Sequence, residues 1–143
     1  MARIKAKEGH VYALPRFSKI DWHVLITRSN GKGGLLGYFY PKLEQVGVAP
    51  PKFIGLVGDL GIRNGEWRQE TVASGWKRED WPIPRFRRLA PGEQPSDETR
   101  IVTYDDDLAG IGREQILAGS FEELPLDGAY GYKAVEVPLK RLE

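Results

Sequence analysis

Phe53 to Phe86 reads FIGLVGDLGIRNGEWRQETVASGWKREDWPIPRF, and the fold turns on how this stretch is read. It carries three of the four tryptophans (Trp67, Trp76, Trp81), turns at Gly58 to Gly61 and at Asn64-Gly65, and the Trp81-Pro82-Ile83-Pro84 run. Lys52 to Gly58 is apolar at Phe53, Ile54, Leu56 and Val57. That fits a strand buried on both faces, although a short helix has the same pattern. From Arg68 to Lys77 the periodicity weakens, and Ala73, Ser74 and Gly75 mark a loop. Pro82 and Pro84 then fix two φ angles and hold their neighbours extended, so Trp81, Ile83 and Phe86 form a stiff apolar edge. The stretch has no histidine, no cysteine and no carboxylate pair with a recognisable partner. It reads as scaffold, with Trp76 and Trp81 beside loops as the pair expected to be partly exposed.

Toward the N-terminus, Ile20 to Arg28 alternates Ile20, Trp22, Val24 and Ile26 against Asp21, His23, Leu25 and Thr27, the pattern of a strand. Asn30-Gly31 comes next, a hairpin signal because both central residues of a type I′ turn take positive φ. Leu35 to Tyr40 is expected to return antiparallel. His10 to Leu14, closed by Pro15, reads as a first strand, and Lys42 to Gly47 as one helical turn.

Toward the C-terminus, Ala90 to Glu98 has the Pro, Gly and polar content of a surface loop. Thr99 to Tyr104 is a strand, Arg113 to Ala118 has room for a turn, and Tyr130 to Leu139 alternates like a last strand. The sum predicts a mostly β chain, α+β at the margin. Its expected form is a single twisted antiparallel sheet or partly open barrel with one or two short helices, in one domain spanning 1–143.

Composition excludes several function classes. Lys and Arg number 21 against 20 Asp and Glu, a formal charge of +1, so no global field points to nucleic acid or an anionic membrane. The absence of cysteine removes disulfides, thiolate catalysis and cysteine zinc sites. A chain needing no staples, with no apolar segment behind its basic start and no apolar run of membrane length, is expected in the cytoplasm.

The remaining chemistry-bearing residues each have a plain reading. His10 and His23 sit on different strands without metal-binding spacing, which favours ordinary strand histidines and no cofactor. No serine occupies a nucleophile elbow. Gly31 to Gly34 and Gly58 to Gly61 lack the P-loop pattern and do not open a convincing helix, so both read as turns. Arg85, Arg87 and Arg88 around Phe86 form a basic and aromatic patch on which a single strand of nucleic acid could stack, or a solvated strand end. Asp105, Asp106 and Asp107, with Glu122, Glu123 and Asp127 further on, read as a charged turn that caps the next segment, or as an acidic surface for a basic partner.

Three colinear segments together resemble the immunity protein 26 family of bacterial polymorphic-toxin systems. They are Gly9 to Pro15; Gly58 to Ile62 through Gly65-Glu66-Trp67 and on to Trp81 to Phe86; and Tyr104 to Leu108 through Leu124 to Gly128, Tyr130-Gly131 and Ala134 to Leu139. The chain departs from the pattern after Trp67, where Arg68-Gln69-Glu70-Thr71 replaces a short apolar strand. The resemblance implies a cytoplasmic protein, not an enzyme, that binds a cognate toxin domain and blocks its active site or substrate groove. Asp105, Asp106, Asp107, Glu122, Glu123, Trp76 and Trp81 are the candidate contacts, and neither nucleic acid nor membrane is an expected partner. Two other readings stand beside it. One is a metal-dependent phosphotriesterase-like hydrolase, a label some relatives carry and one that two histidines equip poorly. The other is a single-stranded nucleic-acid-binding module using Arg85, Arg87 and Arg88.

Overall fold

The computed structural model describes residues 6–88, 98–108, 110–119 and 121–143. Among the described residues the chain is mostly β, with two short α-helices and no closed barrel. In chain order the strands are β1 (His10–Ala13), β2 (His23–Ser29), β3 (Gly34–Tyr40), β4 (Phe53–Gly58), β5 (Arg68–Val72), β6 (Phe86–Arg88), β7 (Glu98–Tyr104), β8 (Ile111–Ala118) and β9 (Ala129–Tyr130). The helices are α1 (Leu60–Arg63) and α2 (Glu136–Arg141). Pairing distributes the strands over two sheets: six strands in the order β5-β1-β2-β3-β4-β9, and three in the order β6-β7-β8. All pairs are antiparallel except β4 with β9.

The large sheet is apolar on both faces because β2, β3 and β4 lack the polar alternation of a half-solvated sheet. Register carries Tyr12, Val24, Phe39 and Phe53 onto one face, and Val11, Leu25, Tyr38 and Ile54 onto the other. The first face is covered by Trp22, Ile62 of α1, Trp67, Val135 just ahead of α2 and Leu139 of α2. The second is covered by Phe86 and Leu108, with Trp76, Trp81, Ile83 and Tyr104 packed against them. The Trp81 to Phe86 run is thus the apolar edge its prolines predict, and it seats the small sheet on the large one.

Several local expectations change. The β2–β3 loop is Asn30 to Gly33, not a two-residue turn. Asn30 Oδ1 accepts from the Lys32 and Gly34 amides at 2.8 and 2.9 Å, and positive φ falls on Gly31 and Gly33. Asn64-Gly65 joins no strands; it ends α1, with Gly65 at φ +74 taking the left-handed position after a helix. Gly58 to Gly61 therefore does lead into a helix, a single turn whose Asp59 pairs with Arg63 at 2.9 Å.

Two strands arise where a loop and a turn are expected. β5 is exposed at all five residues and β8 at most of its eight, so neither leaves an apolar period to read. The C-terminal segment is corrected too. Only Ala129 and Tyr130 pair as a strand, and Glu136–Arg141 is helical, burying Val135 and Leu139 four residues apart. Pro138 lies in the first turn of α2, where its missing N–H would have no intrahelical acceptor. The predicted loop from Ala90 to Glu98 lies outside the described residues except for Glu98, which opens β7.

Candidate partner-binding surface

Trp76 and Trp81 flank a short 3-10 turn, Arg78–Asp80, in which the Trp81 amide donates to the Arg78 carbonyl at 3.1 Å. The turn brings the two indoles together at 5.9 Å between ring centroids, tilted by 31°. Trp81 meets the Tyr38 ring edge-on at 5.2 Å, and the Tyr38 hydroxyl donates to the Pro82 carbonyl at 3.4 Å. On its far side Trp76 closes over Gly9, where a Cβ would lie 2.4 Å from the indole Cδ1. Both tryptophans remain half-buried, so the result is a rigid aromatic shelf with one side open.

A charged network fastens this shelf to the Asp105 to Asp107 turn. A bulge in β2 at Thr27 turns Arg28 to the side of Leu36, and its side chain is only 2% exposed. Arg28 Nη1 donates to the Thr27 carbonyl at 2.7 Å, and Nη2 reaches both the Arg78 carbonyl and Asp106 Oδ1 at 3.3 Å. Arg28 Nε has no partner. Arg78 donates from Nε to Glu8 Oε1 at 2.8 Å, from Nη2 to the Asp106 carbonyl at 2.7 Å, and from Nη1 to the Asp106 carboxylate. Two guanidiniums thus meet two carboxylates, with Asp106 shared between Arg28 and Arg78 and Glu8 held by Arg78 alone. Beyond Asp106, Leu108 takes φ +59 and buries its side chain against the large sheet.

The structure therefore brings Trp76, Trp81, Asp105, Asp106 and Asp107 to one place. Arg78 joins them, a residue that reads in sequence as part of a solvated charge run. Asp106 serves the fold as an internal ion-pair partner. Glu122 and Glu123 lie elsewhere, on a cleft of about 350 Å³ between the start of β4 and the segment ahead of β9, with Lys52, Phe53, Arg87 and Tyr130.

A second network lies where the small sheet meets that segment. Arg88 Nε donates to Asp127 Oδ2 at 2.8 Å and Arg88 Nη1 approaches Glu114 at 3.7 Å, while Arg100 reaches Glu114 at 3.2 Å. The Tyr104 hydroxyl donates to the Asp127 carboxylate, whose side chain is 5% exposed. Burial, then this hydrogen bond, pushes the Tyr104 phenol up to about 12. Arg87 donates from Nε to the Leu124 carbonyl at 3.1 Å. Of the three arginines in the basic patch, Arg87 and Arg88 are thus engaged within the fold, and Arg85 is exposed.

Strand pairing places His23 opposite Ala13, so alternation puts His10 and His23 on opposite faces of the sheet. His23 Nδ1 lies 3.1 Å from Glu70 Oε2, an ion pair when the imidazole is protonated. Among the described residues, no group of three or more histidines and carboxylates is placed to hold a metal ion, and no helix is long and apolar enough to cross a membrane. Comparison with family models, with curated proteins and with solved structures finds no match for this chain.

Proposed function

We propose that this chain is a toxin-neutralising immunity protein. It binds a cognate bacterial toxin domain stoichiometrically in the cytoplasm and blocks its active site or substrate groove, without chemistry of its own. The observation that carries this reading is the half-exposed Trp76–Trp81 pair on a rigid backing. Paired aromatic side chains at a fixed site are the usual anchors of protein interfaces, because they bury a large area while losing little conformational entropy. The surrounding charge specifies the kind of partner. Glu79, Asp80, Asp105, Asp106 and Asp107 are five carboxylates against Lys77 and Arg78, and all but Arg78 are exposed. An acidic rim around an aromatic centre fits a basic groove, such as one that handles an anionic substrate.

The test is co-purification with the toxin domain encoded beside the gene. A one-to-one complex is expected, and Trp81→Ala should weaken it about 30-fold, the affinity equivalent of a 2 kcal/mol hot spot. Replacing Asp105 and Asp107 together by Asn, leaving Asp106 in place for the fold, should slow association at low salt with little effect on dissociation. A toxin domain that neither binds nor is neutralised would refute the reading.

A further inference from the structure

The segment Pro125 to Tyr130 ties the two sheets together, and it changes sheet partway. Its first half runs beside β6, where the Arg87 amide donates to the Pro125 carbonyl at 2.9 Å and the Asp127 amide to the Arg87 carbonyl at 2.7 Å. Its second half is β9, paired parallel with β4 at Leu56 and Val57. Between the halves the Gly128 amide turns back onto the Leu126 carbonyl at 3.1 Å. This fork opens the cleft of about 350 Å³ that Glu122 and Glu123 line.

The fork also leaves part of the β4 edge open. In an antiparallel pair, residues that exchange both backbone bonds alternate with residues whose N–H and C=O point away. The Asp59 amide donates to the Gly33 carbonyl at 3.1 Å, which sets the phase. Phe53, Gly55 and Val57 then bond β3, and Ile54 and Leu56 turn their N–H and C=O to the other side. The register from Gly34 opposite Gly58 to Phe39 opposite Phe53 has no bulge, so the phase holds along the strand. Leu56 is met by β9. Ile54 is not, because the Gly128 amide that a continued register would bring to its carbonyl is committed to Leu126. The Ile54 N–H and C=O therefore face the cleft with no partner among the described residues.

The walls around this open pair are apolar and charged. Phe53 and Tyr130 meet edge-on at 5.6 Å between ring centroids, and Leu124 and Leu126 line the other side. Lys52, Glu122 and Glu123 are exposed and have no ion pair among the described residues, and Arg87 uses only Nε, toward the Leu124 carbonyl. The volume falls within the roughly 300–1,000 Å³ of ligand sites.

We propose that this cleft binds an extended peptide segment of a partner protein, which pairs with Ile54 as a short added strand and sets alternate side chains against the two apolar walls. A peptide is the occupant because the site offers one backbone donor and one backbone acceptor at strand geometry. Unpaired charges of both signs at the walls complement a segment that carries an acidic and a basic residue. The lining includes neither Trp76 nor Trp81, so the site stands whether or not the aromatic shelf binds a toxin.

The probes are peptides selected on the full chain from a displayed random library and synthesised with blocked ends. In the free chain the Ile54 amide should exchange with deuterium at least about tenfold faster than the Gly55 and Val57 amides, and a bound peptide should slow it. Ile54→Pro removes the free N–H without taking a bond from β3, and should weaken the selected peptides by about tenfold. Circular dichroism matched to wild type separates loss of the site from loss of fold. The exposed double variant E122K/E123K tests the site without touching the backbone, and should weaken peptides that carry a basic residue by at least about threefold. An Ile54 amide as protected as Gly55 in the free chain overturns the proposal, since its backbone pair would already be engaged. So does a library that yields no peptide protecting Ile54 at millimolar concentration, or peptides indifferent to both variants. Protection that rises with protein concentration alone would assign the edge to a second copy, and overturns it as well.

Discussion

The two faces of the six-stranded sheet are covered in contrasting ways. One is closed by short local elements, α1 and α2 with their flanking residues, which set Ile62, Trp67, Val135 and Leu139 against Phe39 in a contact that is nearly all apolar. Its polar ties sit at the rim, where Trp22 Nε1 and the Lys19 amide donate to the Glu143 carboxylate at 3.2 and 3.3 Å. The other face is closed by a second sheet, and there the apolar contacts are supplemented by two charged networks, one of Arg28, Arg78 and Asp106 and one of Arg88, Tyr104 and Asp127. The difference has a physical cause. A sheet three strands wide covers a six-stranded one incompletely, and its cover is fastened by directional charged hydrogen bonds. The same incomplete cover leaves Trp76 and Trp81 half open. The candidate surface and the charged fastening thus have one origin.

That contrast can be broken from either side. The largest loss is expected on the oily face: Phe39→Ala empties a fully buried ring site and should lower stability by about 3–5 kcal/mol in urea unfolding. On the charged face, Arg28→Ala empties a buried site and removes the donor that the Thr27 and Arg78 carbonyls share, and is expected to lower stability by about 2–3 kcal/mol. Arg28→Met, keeping the volume without the charge, should recover part of that loss if cavity formation contributes to it.

A smaller effect is expected in the second charged network. Tyr104→Phe removes one hydrogen bond to a carboxylate, worth about 1–2 kcal/mol. It also alters the pH profile. The folded phenol titrates at about 12 against an ordinary value of 10.0, so its contribution is complete below pH 10 and is lost as pH rises toward 12. Urea midpoints of wild type should fall through that window more steeply than those of Tyr104→Phe. The smallest effect belongs to the helix rim. The Ser18 hydroxyl, then the Trp22 indole and Lys19 amide, hold the Glu143 carboxyl below its ordinary 4.5. Its contribution is therefore present above that pH and fades as pH falls, and Glu143→Gln should flatten the acid limb slightly.

Much of this fold is legible in the sequence where burial imposes a period. The strands β2, β3 and β7 declare themselves because each carries apolar side chains that face a core, the apolar run of β4 fits a strand or a short helix equally, and Pro82 and Pro84 after Trp81 announce the extended segment they build. β5 and β8 are silent because an exposed edge strand needs no apolar face. Arg68 to Val72 is held by backbone pairing with β1, not by burial. The C-terminal error has another source. Over Lys133 to Leu139, Val135 and Val137 satisfy a strand period while Val135 and Leu139 satisfy a helical one. So short a segment cannot decide between the two periods, and packing against Tyr12 and Trp22 selects the helix.

At the candidate surface, the two tryptophans are visible from their flanking turns and their chemistry. Arg28 leaves one faint trace, a cation ending an otherwise apolar strand. That it meets Asp106 is a product of the second sheet's placement, which no local pattern encodes.

The aromatic shelf is tested most directly by the affinity of the cognate toxin domain for wild type and Trp81→Ala, measured by calorimetry on variants of matched stability. A loss of about 30-fold with an unchanged one-to-one stoichiometry is expected. Equal affinities for the two proteins would contradict the proposed role of the shelf, and would place the contact elsewhere on the chain.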